Sequence, residues 1–256
     1  MNSSYQPEAY WNEVAGQIAG RSDVRVIAGD DEPYYRYKRQ RFLELLGTLD
    51  LRNRSVLEIG SGPGGNLAFL YGKGCRRLAG ADISDQMIAL AGQNLAGKNI
   101  PITKTNGRDL PFADGAFELL FTSTVLQHNT DEAQLLHLMG EIARVASEEV
   151  LLFERIESRI KGHESCLGRP VSYYAGIMKQ HGFELAGTKA LPLQASYYTC
   201  GAIRKLFNPR SRKEGEPFTK LALFLENITL PVTRLLDRVL PSKRDVMLLH
   251  FKKRGL

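Results

Sequence analysis

The chain has few of the residues that build disulfide or metal sites. Its three cysteines, Cys75, Cys166 and Cys200, lie far apart and form no Cys-x-x-Cys or Cys/His spacing. Such a pattern predicts neither a disulfide framework nor a zinc site, and it fits a reducing compartment. We therefore expect no metal at the functional site.

Long apolar runs are also missing. No stretch of about eighteen apolar residues occurs, and the N-terminal sequence MNSSYQPEAYWNE is polar without an apolar signal core. These absences predict a soluble, cytoplasmic protein. With 256 residues, of which 43% are hydrophobic, the chain is long enough for one α/β domain with appendages and short for two independent cores.

Positive charge is unevenly distributed. The net charge is +6, but residues 201–256 alone contain 13 Lys or Arg and 5 Asp or Glu. The basicity therefore belongs to the C-terminal region. It indicates either an ordinary solvated basic face or attraction to an anionic substrate or membrane surface.

The run VLEIGSGPGGN, residues 56–66, is the most informative stretch of the sequence. Residues 55–59 form a short, mainly apolar segment with β-branched Val56 and Ile59, as in a buried parallel strand, and residues 66–72 have the character of the following helix. Glycines occupy the crossing between them, so the turn is tight and a ligand can lie against the backbone. The pattern predicts a nucleotide-type site with Glu58 fixed at its start.

Two later segments narrow this prediction. A second apolar strand, residues 77–82, ends in Asp82, where a carboxylate can accept the hydroxyl groups of a ribose. The segment LPFADGAF follows at residues 110–117. With these motifs the chain resembles the class I S-adenosylmethionine-dependent methyltransferases, closely over residues 56–153 and loosely outside them. A NAD-type dinucleotide-binding domain and a non-catalytic relic are the alternatives.

Strand-like and helix-like segments alternate from residue 55 to residue 191, which predicts right-handed βαβ crossovers. The expected fold is a Rossmann-like, seven-stranded, mostly parallel sheet with helices on both faces. We predict a helical lid over residues 1–54, a cofactor-binding core over 55–193, a helical cap over 194–245 and a last strand and tail over 246–256. The resemblance implies that residues 246–251 form an antiparallel strand between two parallel ones.

The resemblance also implies which residues bind S-adenosylmethionine. Asp82 would accept the ribose diol, Ile83 and Met87 would enclose the adenine, and Asn106 stands where relatives carry an acid that contacts the adenine amino group. Lys38, on the predicted lid helix, would face the cofactor carboxylate. The remaining predicted cofactor residues are Glu58, Gly60, Ser61, Gly62, Gly64, Asn66, Gly107, Arg108, Thr122 and Ser123.

His128 follows the next predicted strand and is a candidate general base, because its ordinary pKa allows proton uptake near neutral pH. A structural cofactor contact is the alternative. The FTSTV segment lacks the Asn/Asp-Pro-Pro-aromatic motif that the family uses for DNA or protein amide acceptors, so no nucleic-acid partner is expected. Aromatic residues predicted to wall the acceptor pocket are Tyr10, Trp11, Tyr34, Tyr173 and Tyr174.

Together these features predict O-methylation of a small-molecule, natural-product or glycan acceptor, with S-adenosylhomocysteine as the second product. A lipid-linked or phosphorylated acceptor at a membrane surface is the first alternative. A regulatory module that binds the cofactor without transferring its methyl group is the second.

Overall fold

A computed structural model describes residues 5–20, 32–212, 216–242 and 245–255. Its main sheet has seven strands in the order β3-β2-β1-β4-β5-β9-β8. The strands of this sheet are β1 Ser55–Ile59, β2 Arg77–Asp82, β3 Ile102–Lys104, β4 Phe117–Ser123, β5 Ala146–Ile156, β8 Phe183–Ala190 and β9 Asp245–Lys253. A separate two-stranded hairpin consists of β6 Lys161–His163 and β7 Cys166–Gly168.

Strands β1 to β5 are mutually parallel, and β9 runs antiparallel between β5 and β8. The predicted fold class, including the late antiparallel strand, is confirmed. Every residue of β1 is buried, as expected for a central strand covered on both faces.

The helices are α1 Pro7–Ile18, α2 Pro33–Leu46, α3 Gly65–Leu70, α4 Asp85–Asn94, α5 Glu132–Val145, α6 Val171–Gln180, α7 Gln194–Phe207 and α8 Lys220–Asp237. Two apolar cores result, one centred on α5 and α6 and one on α2 and α3, on opposite faces of the sheet. Ser84 caps α4 through a hydrogen bond from Met87 N, as its sequence position predicts. Helix α5 is capped by Asp131, whose side chain accepts from Gln134 N.

The N-terminal helices lie at the carboxyl edge of the sheet. Helix α1 packs its buried residues Val14, Ala15 and Ile18 against α4. Helix α2 packs against α7 and α8, which together fill the stretch between β8 and β9. Both helices lie within residues 194–245, the range predicted for the helical cap. Cys200 of α7 and Leu230 of α8 belong to the same apolar core as α2, so the cap is packed into the domain.

No described helix is both long enough and apolar enough to cross a membrane. Nor does any group of three or more His, Cys, Asp or Glu side chains within the described ranges have a metal-binding arrangement.

Candidate active site

A cavity of about 560 Å³ opens at the carboxyl ends of β1, β2 and β4. The strand order reverses between β1 and β4, and ligands of open α/β sheets bind at such a switch point. The glycine turn forms the floor, and helices α1 and α2 form part of the wall. One cavity therefore brings together the motif after β1, the acid ending β2 and the loop after β4.

The glycine turn is held in a conformation that larger residues do not fit. Gly60 has φ of 68°, and a Cβ placed on it would lie 2.3 Å from Val125 Cγ2. Gly62 N donates to Asp82 Oδ2 at 2.7 Å, which ties the turn to the end of β2. Ser84 N donates to Asp82 Oδ1 at 2.8 Å. Burial raises the pKa of Asp82, and these N–H donors oppose that rise.

Asp82 keeps acceptor capacity toward the cavity that it lines. A carboxylate has about four lone-pair positions, so two backbone donors do not saturate it. The predicted role of Asp82 as acceptor for ribose hydroxyls fits this geometry and stays a prediction.

Three buried oxygen atoms beside the glycine turn have no hydrogen-bond partner: Glu58 Oε2, Ser61 Oγ and Asn66 Oδ1. All three residues line the cavity. The other Glu58 oxygen accepts from Asn66 Nδ2 at 2.7 Å. Complete burial raises the pKa of Glu58 to about 8. Since buried polar atoms are normally satisfied, this cluster fits a ligand that donates several hydrogen bonds, such as an ammonium group.

The cation predicted on the lid helix is already paired. Lys38 lines the cavity, but its Nζ binds both carboxylate oxygens of Asp245 at 2.9 and 2.8 Å. Arg39 lines the cavity too, and its positive charge partly opposes the rise that burial causes in the pKa of Glu58. The residues of α2 that face the cavity are Tyr35, Lys38, Arg39 and Phe42. Their i, i+3, i+4, i+7 spacing is one helical face, a signal that could have identified Arg39.

The loop after β3 departs from the prediction. The Asn106 side-chain oxygen accepts from Arg108 N at 2.9 Å and Asp109 N at 2.7 Å, so it is used within its own turn. Neither Asn106 nor Arg108 lines the cavity. Gly107 lines it, together with Thr105, which the sequence reasoning missed, and the predicted cofactor contact of Gly107 stays a prediction. Ile83 and Met87 lie on the same side and provide apolar surface.

His128 lies at the cavity mouth in a short 3-10 helix, Leu126–His128. Its Nδ1 lies 2.8 Å from Ser165 O. A carbonyl can only accept, so Nδ1 carries the proton and Nε2 presents a lone pair. The Gln127 side-chain nitrogen lies 3.1 Å from that Nε2, while Gln127 Oε1 accepts from Arg155 N at 3.2 Å. This network fixes both the histidine tautomer and the amide orientation.

Two buried charged residues hold the His128 loop from opposite sides. Glu154 accepts from Val125 N and Gln127 N, each at 3.1 Å, and burial raises its pKa to about 7. Arg169, fully buried, donates to the carbonyls of Leu126 at 3.1 Å and Asn129 at 2.8 Å. The loop geometry is therefore set by side chains that the sequence reasoning did not single out.

Thr122, predicted to contact the cofactor, is buried and donates to Glu154 Oε1 at 2.7 Å instead of lining the cavity. Its neighbour Ser123 lines the cavity as predicted. The difference follows from strand alternation, because successive side chains of β4 point to opposite faces. Gly64, also predicted, caps α3 at φ of 82° and is likewise absent from the cavity lining.

Of the predicted acceptor-wall aromatics, Tyr10 and Trp11 line the cavity, and the Trp11 ring meets His128 edge to face at 5.0 Å. Tyr34 is buried between α2 and the cap, where its hydroxyl donates to Asp245. Tyr174 is fully buried in the core, and Tyr173 donates to Glu132 outside the cavity. The predicted positions of Tyr34, Tyr173 and Tyr174 in the wall are therefore wrong.

The β6–β7 hairpin contributes a part of the wall that was not predicted. It places His163, Ser165 and Cys166 at the cavity, next to His128. The polar gap of residues 157–170 between β5 and α6 is the sequence signal that marks it.

Residues 56–149 match the family model described as "Methyltransferase domain". A malonyl-[acyl-carrier protein] O-methyltransferase of Legionella pneumophila is 28% identical over 109 residues, covering 41% of this chain and 38% of the relative. The chain thus spans well under half the length of that relative.

Solved structures with the same fold include the magnesium protoporphyrin IX methyltransferase of Synechocystis PCC 6803 with bound SAM, at 14% identity and a TM-score of 0.62 over 99% of this chain and 100% of that one. The [4+2]-cyclase SpnF is similar to the same extent, at 14% identity and a TM-score of 0.62 over 96% and 92%.

Proposed function

We propose that this chain, whose residues 56–149 match the methyltransferase-domain family model, is an S-adenosylmethionine-dependent methyltransferase that methylates an oxygen atom of a small-molecule, natural-product or glycan acceptor. The observation that carries the proposal is the group of unsatisfied oxygens on Glu58, Ser61 and Asn66, which lies in the same cavity as the glycine turn and Asp82. A zwitterionic amino acid attached to a nucleoside needs such a combination of acceptors.

The residues present fit S-adenosylmethionine. Glu58, Ser61 and Asn66 would accept hydrogen bonds from its ammonium group, and Asp82 would accept from the ribose hydroxyls. Arg39, which lines the cavity, is a second candidate partner for its carboxylate beside Lys38, whose Nζ binds Asp245. When bound, the cofactor supplies the electrophilic methyl group. The chain mainly has to orient the acceptor oxygen and exclude water.

His128 is the candidate base for the acceptor hydroxyl. Ser165 holds the proton-bearing Nδ1, so the lone pair of Nε2 is the atom that can take a proton. In this structure the Gln127 amide donates to that lone pair. An acceptor hydroxyl would take the place of the amide, and Trp11 and the β6–β7 hairpin would enclose it. General-base catalysis of this kind contributes about a hundredfold or more to turnover.

The test is conversion of S-adenosylmethionine to S-adenosylhomocysteine over a panel of hydroxyl compounds, with the position of the new methyl group determined by NMR. Turnover that places the methyl on oxygen supports the proposal. Cofactor binding without turnover on any acceptor class favours the regulatory-module alternative. The fold does not decide between reactions, since the [4+2]-cyclase SpnF has the same fold.

A second candidate acceptor is a lipid-linked or phosphorylated compound at a membrane surface. The exposed apolar residues of α8 and the basic character of residues 201–256 favour it. Faster turnover of an acceptor presented in vesicles than of its water-soluble analogue would support this candidate.

A further inference from the structure

Helix α8 has its apolar side facing outward. Its buried positions include Glu226, Thr233 and Asp237, which are polar. The exposed large residues along the helix and its C-terminal extension are instead apolar, with exposed fractions of 42–75%. They are Leu221, Phe224, Ile228, Val232, Leu235, Leu236, Val239 and Leu240, and we call them the outer stripe. A contiguous apolar surface of this kind marks an interaction site.

The orientation of α8 is fixed by its buried carboxylates. Glu226 accepts from Arg204 of α7 at 2.5 Å and from Tyr34 N of α2 at 3.1 Å. Asp237 accepts from the backbone and hydroxyl of Ser196, at 3.2 and 2.5 Å. Rolling the helix to bury the outer stripe would break these bonds and leave buried donors and acceptors unpaired. These bonds therefore keep the outer stripe on the outside of the molecule.

Charge around the stripe is positive. Lys205, Arg210, Lys220 and Arg238 are exposed on the cap. Among the cap acids that the structure describes, Glu226 and Asp237 are buried, and Glu216 and Asp245 are half-buried. Helix α7 adds further exposed apolar residues, Leu206 and Phe207 among them, to the same cap.

We propose that the outer stripe binds an anionic lipid surface, with α8 lying in the plane of the interface. An amphipathic helix with apolar residues on one side and flanking Lys and Arg binds in this way. Anionic headgroups would neutralise the basic residues at the rim. A second copy of the chain is the less suitable occupant, because stripe-to-stripe pairing would bring the same four cations together.

The attachment has a consequence for the cavity. Glu226 joins α8 to Tyr34, and the next residue, Tyr35, lines the cavity together with Lys38. Helix α8 therefore lies between the proposed membrane face and the α2 wall of the site. Membrane binding by the stripe does not depend on turnover or cofactor, so it can be tested separately from the methyltransferase proposal.

The experiment is co-sedimentation of the full chain, without cofactor, with vesicles of phosphatidylcholine alone and of phosphatidylcholine mixed with phosphatidylglycerol. Binding to the anionic vesicles that weakens with salt is expected. The triple variant Phe224→Gln, Val232→Gln, Leu235→Gln should reduce the bound fraction at least about tenfold without lowering the melting temperature, because these side chains are exposed.

Two further variants complete the design. The matched control Tyr71→Gln, Leu136→Gln changes exposed apolar residues away from the cap and should bind vesicles like the parent. Lys205→Glu, Lys220→Glu, Arg238→Glu should lose the preference for anionic lipid. The proposal is overturned if the parent chain does not sediment with anionic vesicles, or if the stripe variant binds as well as the parent. Stripe-dependent dimerisation without vesicle binding would assign the surface to a second copy.

Discussion

Replacing Glu58 by Gln tests the cation site proposed beside the glycine turn. Gln keeps the size of the side chain and an oxygen that can accept from Asn66, but it cannot ionise. The Glu58 carboxyl is fully buried with a pKa of about 8, so it is mostly protonated at pH 7 when no ligand is bound. A ligand ammonium beside it would favour the ionised form. Binding at pH 7 should therefore release close to one proton from the parent protein and none from Glu58→Gln.

The magnitudes follow from the pKa. Ionising Glu58 at pH 7 costs about 1.4 kcal/mol. Because its ionised fraction rises from about a tenth at pH 7 to about a half at pH 8, cofactor affinity of the parent should rise about fivefold over that range. A hydrogen bond to a charged group contributes about 1.5–3 kcal/mol, so Glu58→Gln should bind about ten to a hundredfold more weakly at pH 8. Its affinity should show no such rise with pH.

The stability of the ligand-free protein should fall as the pH rises, whereas its cofactor affinity should increase. The folded pKa of Glu58 lies above the ordinary value of 4.5, so its contribution to stability is complete below pH 4.5 and is lost as the pH rises through about 8. The difference between these two pKa values corresponds to a loss of about 3–5 kcal/mol in the free energy of unfolding. Glu58→Gln lacks this loss, and its free energy of unfolding should exceed that of the parent increasingly toward pH 8.

Calorimetric titration with S-adenosylhomocysteine in two buffers of different ionisation enthalpy gives the affinity and the proton release together, and urea unfolding at several pH values gives the stability. If Glu58→Gln released the same number of protons and kept the pH dependence of affinity, the carboxyl would not be the cation site and the reasoning would be refuted.

Three other variants test separate parts of the site. Asp82→Ala should weaken cofactor binding about ten to a hundredfold and also lower the melting temperature, since Gly62 N and Ser84 N lose their acceptor; unchanged calorimetric affinity would refute the ribose assignment. His128→Ala should lower turnover by about a hundredfold or more and leave cofactor affinity unchanged; weaker binding with normal turnover of the bound complex would make it a contact instead. Arg169→Met should reduce kcat more than cofactor affinity, because its guanidinium holds two carbonyls of the His128 loop; an unchanged kcat would show that the loop keeps its geometry unaided.

The sheet and its ligand edge could be predicted because their signals are local. A continuously buried strand followed by glycines places β1 and its turn, and Asp82 follows from the end of β2. The antiparallel β9 begins one residue earlier than predicted, at Asp245. These elements are determined by apolar character and backbone requirements that short stretches of sequence carry.

Pairings between distant residues could not be predicted. Lys38 is a cation in the sequence, but Asp245, 207 residues later, neutralises it. The apolar residues of α8 recur at helical spacing, which predicts an apolar stripe, yet nothing local shows that Glu226 pairs with Arg204 and turns the stripe outward. Because α7 and α8 share an apolar core with α2, removal of residues 194–245 would expose that core, so a role of the cap in acceptor selection is better tested by its surface variants.

Calorimetric titration shows whether the cavity after β1 and β2 binds S-adenosylmethionine. We expect saturable binding of one equivalent of S-adenosylhomocysteine, weakened by both Asp82→Ala and Glu58→Gln, and no saturable binding of NAD⁺ under the same conditions. Tight binding of NAD⁺, or no binding of S-adenosylhomocysteine by the folded protein, would contradict this expectation.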